Sequence, residues 1–140
     1  MDKIRAAINE ASAFLKEQAG TLGDSAKERS YQLIEEWLQI FPRLEIYGLE
    51  ITSFSLSFAI SPALEVELKG DHEKFPTERL NKIIEENPNS TALRSVFSAI
   101  RSTYSMHRRI YASLEDPLIV KIRVRLSPEI KVYIGKPIIE

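Results

Sequence analysis

The chain has no cysteine, so it can form neither a disulfide nor a thiolate metal site. It has only two histidines, His72 and His107, which together with the lack of cysteine disfavours a zinc site, so no metal and no cofactor is expected. The five glycines, at 20, 23, 48, 70 and 135, make neither G-x-G-x-x-G nor G-x-x-x-x-G-K, which leaves no glycine cradle for a nucleotide phosphate. No apolar run approaches the roughly 20 residues that span a bilayer. The opening Met1-Asp2-Lys3-Ile4-Arg5 leads toward a polar-studded helix rather than a secretory leader. A cytoplasmic protein with no transmembrane segment is the expectation.

Net charge is also small, −1 overall, but it is unevenly placed. Residues 1–70 carry 7 basic and 11 acidic side chains, and residues 71–140 carry 12 and 9. This excess is too mild for a dedicated nucleic-acid binder, whose affinity rests on many phosphate contacts. It is enough to guide how the two halves, or two subunits, meet.

What the chain does have is length for a single domain, 1–140, and a strong alternating pattern. Phe54, Leu56, Phe58 and Ile60 alternate with small residues, a corner follows at Ser61-Pro62, and Leu64, Val66 and Leu68 alternate with Glu65, Glu67 and Lys69. The pattern recurs as Leu118, Val120, Ile122, Val124 and Leu126, a corner at Ser127-Pro128, then Ile130, Val132 and Ile134. Each copy predicts a half-buried β-hairpin. Leu49 and Ile51 fall on the opposite parity from Phe54. A one-residue slip exchanges the faces of a strand, so a bulge is predicted near Thr52-Ser53.

Helices precede each hairpin. Residues 3–19 carry a thin stripe of Ile4, Ile8, Ala11 and Leu15, with Gly20 as the stop. A capping box, Ser25-Ala26-Lys27-Glu28, opens a second helix that should run to about Phe41 and end at Pro42. A short helix carries Leu80, Ile83 and Ile84, and Asn87-Pro88-Asn89-Ser90 breaks it. A fourth, from about Thr91 to Ser113, should be the longest, with Leu93, Val96, Phe97, Ile100, Tyr104, His107 and Tyr111 on one face.

The order ααββ–ααββ predicts an α+β two-layer sandwich, a four-stranded and mainly antiparallel sheet with helices on one face and a polar face opposite. An offset of 66 residues superposes the hairpins and places Tyr31 on Phe97, Ile34 on Ile100 and Leu38 on Tyr104. Internal duplication, with halves of about 1–69 and 70–136, explains this. So does the ordinary resemblance among amphipathic elements.

Candidate sites are surfaces rather than reaction centres. Lys121, Arg123, Arg125 and Lys131 point outward from the second hairpin beside Tyr133. With Leu126 opposite Ile130, Arg125 would face Lys131, a like-charge pair that calls for compensation. Strands two and three are expected to be neighbours, in which case Glu65 and Glu67 supply it; otherwise an external anion does. Ser53, Ser55 and Ser57 give strand one a small, uncharged outward face. On the second helix, Leu33, Trp37 and Ile40 form a second apolar stripe beyond what one sheet covers, available to the first helix or to a second subunit.

His107, between Tyr104 and Tyr111, is the one site for a small enzyme, although it reads more readily as a half-buried helix residue with the tyrosines as amphipathic packing. His72 reads as a solvated loop residue. The glutamate doublets 35/36 and 85/86 diverge around their helices and read as solvated faces rather than metal ligands. The leading expectation is therefore a non-enzymatic binding or assembly module, a homo-oligomer formed through the surplus helix face or a sheet edge. An anionic ligand on the basic face, nucleic acid being disfavoured by its single aromatic, and an enzyme using His107 are the alternatives.

Overall fold

A proline sits inside the longest helix among the described residues, and the helix continues through it. The computed structural model of the chain describes residues 25–57, 62–110, 114–125 and 127–136, together with the helical and exposed Ala6, Asn9, Glu10 and Ala13. Those four positions fall within the expected first helix, whose apolar stripe lies outside the described residues. Helix α1 (Ser25–Tyr47) has Pro42 in its interior. The side chains of the expected capping box at its start lie outside the described residues.

The expectation that Pro42 ends α1 is thus corrected, and the residues beyond it supply the reason. Leu44 is fully buried. Arg43 donates to Asn87 Oδ1, while Asn87 Nδ2 donates to the Tyr47 hydroxyl at 3.0 Å and the Ile83 carbonyl at 2.7 Å. The Tyr47 ring also meets Phe97 edge-on, with centroids 5.4 Å apart. This packing outweighs the one helical hydrogen bond that a proline cannot donate. The helix stops one turn later at Gly48, whose φ of +115° suits a residue without Cβ. Gly48 N–H bonds the Glu45 carbonyl and Leu49 N–H bonds the Leu44 carbonyl, both at 3.0 Å, closing a Schellman motif with Leu44 and Leu49 in the core.

The chain then forms β1 (Glu50–Ser57) and β2 (Ala63–Gly70), a short 3-10 turn at His72–Lys74, α2 (Thr77–Glu86), α3 (Thr91–Arg108), β3 (Leu118–Val124) and β4 (Pro128–Ile134). Ser90 caps α3 by accepting from Leu93 N–H. α3 ends at Arg108 rather than near Ser113, so the 23-residue α1, not α3, is the longest helix among the described residues. The Asp116-Pro117 bond that leads into β3 is cis.

The four strands form one open antiparallel sheet in the order β1-β2-β3-β4. The register between β1 and β2 shifts between Ile51 and Ser53, which makes Thr52 the extra residue of the bulge that the parity change anticipated. Its hydroxyl lies 3.0 Å from Glu67 Oε1 and 3.2 Å from the Glu67 carbonyl.

On the inward face Ile51, Leu64, Val66, Leu68, Leu118, Val120, Ile122 and Val124 meet the apolar stripes of the helices, giving the α+β sandwich with one covered sheet face. The alignment of α1 with α3 buries both members of each pair Tyr31/Phe97, Ile34/Ile100 and Leu38/Tyr104. Any two amphipathic helices on one sheet would do the same, so this does not establish duplication.

Candidate functional site

Alternation along the strands turns Ser53, Ser55, Glu65, Glu67, Lys121, Arg123, Glu129, Lys131 and Tyr133 to the uncovered face of the sheet. The expected adjacency of β2 and β3 holds, and it interleaves the charges. Glu65 stands opposite Arg123 and Glu67 opposite Lys121. Arg123 Nε lies 3.4 Å from Glu65 Oε1, and Lys131 Nζ lies 3.6 Å from Glu129 Oε1.

The expected register of the second hairpin is corrected. Val124 pairs with Pro128, Ile122 with Ile130 and Lys121 with Lys131, so Arg125 faces no strand residue and lies in the turn, its N–H bonded to the Ser127 carbonyl. Moving the partner by four residues leaves every side chain on its own face, which is why alternation could not detect the difference. The like-charge opposition falls on Lys121 and Lys131 instead. It is relieved because Lys121 Nζ sits 5.2 Å from the centroid of the Tyr133 ring while Lys131 turns to Glu129.

The structure thus brings Lys121, Arg123, Lys131 and Tyr133 together around a shallow depression of about 400 Å³, and leaves Arg125 outside it. Three basic side chains and three acidic ones, Glu65, Glu67 and Glu129, line that depression. Its charges balance, so it offers a polyanion no field.

The two edges of the sheet differ. Along β4, Pro128 lacks an N–H, and Glu129 and Lys131 are exposed and charged, features that discourage pairing with another chain. Along β1, Ser53-Phe54-Ser55-Leu56-Ser57 has neither charge nor proline. The serines are exposed and Phe54 and Leu56 only half-buried, although both point to the core face. No further strand among the described residues pairs with β1 on its free side.

The second stripe of α1 is not such a surface. Trp37 is 2% and Ile40 4% exposed within the single chain, and Leu33 is partly buried against the core. No second subunit is required to cover them. Large apolar side chains are exposed elsewhere, at Ile46 on α1 and at Met106, Ile110 and Leu114 around the end of α3.

His72 corrects the expectation of a solvated loop residue, being 7% exposed. Its Nε2 lies 2.6 Å from the Glu115 carbonyl, which can only accept, so Nε2 carries the hydrogen. Nδ1 lies 2.7 Å from the Tyr104 hydroxyl, which donates to it in the tautomer whose hydrogen is on Nε2 alone. The polar neighbours Asp71, Glu73 and Lys74 had concealed a side chain that ties the 3-10 turn to α3 and to the segment before β3. Burial, aided by the charges of Asp116 and Asp71, raises the Tyr104 phenol well above its ordinary range.

Tyr104 therefore serves His72 rather than His107. Tyr111 lies outside the described residues. His107 lines neither the outward depression nor a second hollow of about 630 Å³ beside Gly48, Gly70 and Asp116. Among the described residues no cluster of histidine, cysteine, aspartate or glutamate is disposed to hold a metal, and no helix is long and apolar enough to cross a membrane. Comparison with protein-family models, with curated proteins and with solved structures gave no match.

Proposed function

We propose that this chain is a binding and assembly module that self-associates through the free edge of its sheet. The observation that carries the reading is the contrast between the two edges: β4 bears Pro128, Glu129 and Lys131, while Ser53–Ser57 of β1 bears no charge and no proline. An edge strand presents unpaired N–H and C=O groups, and a strand left without charge or proline there accepts another strand readily. The half-exposed Phe54 and Leu56 add apolar surface that such a strand would cover.

The charge balance of the outward face favours this reading over an anionic ligand. The engagement of Tyr104 with His72 favours it over an enzyme built on His107. Sedimentation of the full chain over a concentration series tests it. Association should increase with concentration and change little between low and high salt, because the pairing stretch Ser53–Ser57 is uncharged. A chain that stays monomeric to roughly 1 mM, where an association of about −4 kcal/mol would register, would overturn the reading.

A further inference from the structure

We infer that the occupant of the β1 edge is a second copy of the same chain, paired antiparallel about a twofold axis through Ser55. The inference rests on the assembly reading above and adds the partner and its register.

A twofold axis makes two identical strands antiparallel and brings each residue opposite its symmetry counterpart. With the axis at Ser55, Ser55 meets Ser55 of the second copy, Ser53 meets Ser57, and Phe54 meets Leu56. Parity is preserved. The three serines, all exposed, would form one small uncharged row on the outward face, where no side chain blocks close approach. Phe54 and Leu56, which point to the core face, would form aromatic–aliphatic pairs there, among the favourable cross-strand combinations. β1 is thus complementary to itself in shape and in face.

The charges permit it as well. The nearest acidic side chain to the axis is Glu65, opposite Ser55 in the ladder. Two copies of Glu65 would be separated by three strand spacings, about 14 Å, beyond the ~8–10 Å over which exposed charges act at moderate salt. At β4 the same operation would place Lys131, Glu129 and Pro128 in the interface. Pairing over Ser53–Ser57 buries less than the ~1,200 Å² of a stable complex, so the dimer should be weak and concentration-dependent.

Single cysteines read the register without interference, because the chain has none of its own. Directly opposed residues of antiparallel strands have Cα atoms about 4.5–5.5 Å apart, within disulfide range. Ser55→Cys should therefore cross-link under mild oxidation about tenfold faster than Ser53→Cys, whose two copies would lie roughly 13 Å apart along the strands. A mixture of Ser53→Cys and Ser57→Cys chains should likewise cross-link about tenfold faster than either does alone. Ser55→Lys should abolish dimerisation while leaving the monomer's unfolding midpoint unchanged.

If the wild-type chain sediments as a dimer but Ser55→Cys and Ser53→Cys cross-link equally, the twofold at Ser55 is overturned and the assembly reading survives. A wild-type chain that remains monomeric leaves the edge to a different partner and overturns both.

Discussion

His72 and Tyr104 show how one buried polar pair fixes a junction. The imidazole is held from both sides, by the Tyr104 hydroxyl and by the Glu115 carbonyl, with the Tyr104 ring edge-on at 5.4 Å. Tyr104→Phe removes one donor and leaves Nδ1 buried without a partner, which should cost about 1–3 kcal/mol of unfolding free energy in urea titration. The pH dependence follows from the same burial. The folded phenol titrates above the usual value near 10, so the unfolded chain loses that proton first as pH rises. The stability conferred by the neutral phenol is complete below about pH 10 and declines above it. Tyr104→Phe should flatten that alkaline decline; an unchanged slope would contradict the assignment. Nothing in the sequence marked this pair, because the 32 residues separating its members hide a contact that only the fold creates.

Among the elements, α1 is the one whose extent depends most on tertiary context. Its last turn exists because Leu44 reaches the core and because Arg43 and Tyr47 hold Asn87 at the end of α2. Leu44→Ala should therefore cost about 2–5 kcal/mol. The neighbouring Ile46→Ala, at 77% exposure, should change stability by less than about 0.5 kcal/mol. Similar small costs at both positions would show that the turn beyond Pro42 is not packed. Local chemistry alone makes Pro42 a stop, and only the partners of the following turn reverse that. The bulge at Thr52 was legible because a change of parity is written in the sequence itself, in Leu49 and Ile51 against Phe54 and Leu56. The position of Arg125 was not, since hairpin registers that differ by an even number of residues bury the same side chains. The basic face was legible as a face, but its compensation by Glu65 and Glu129 depended on strand order and register.

At the scale of the whole molecule, the sheet has one face covered by helices, balances charge on the other, protects one edge and, among the described residues, leaves the other unpaired. The apolar stripe of α1 that had suggested a subunit interface is consumed by the chain's own core, which moves the case for assembly to β1. Backbone hydrogen exchange across a concentration series tests that claim most directly, because it reports on the very N–H groups that an added strand would bind. With rising concentration, amides within Ser53–Ser57 that face away from β2 should exchange more slowly, while those along β4 keep their rates. Protection that is independent of concentration along β1, or that grows along β4 instead, would contradict the account.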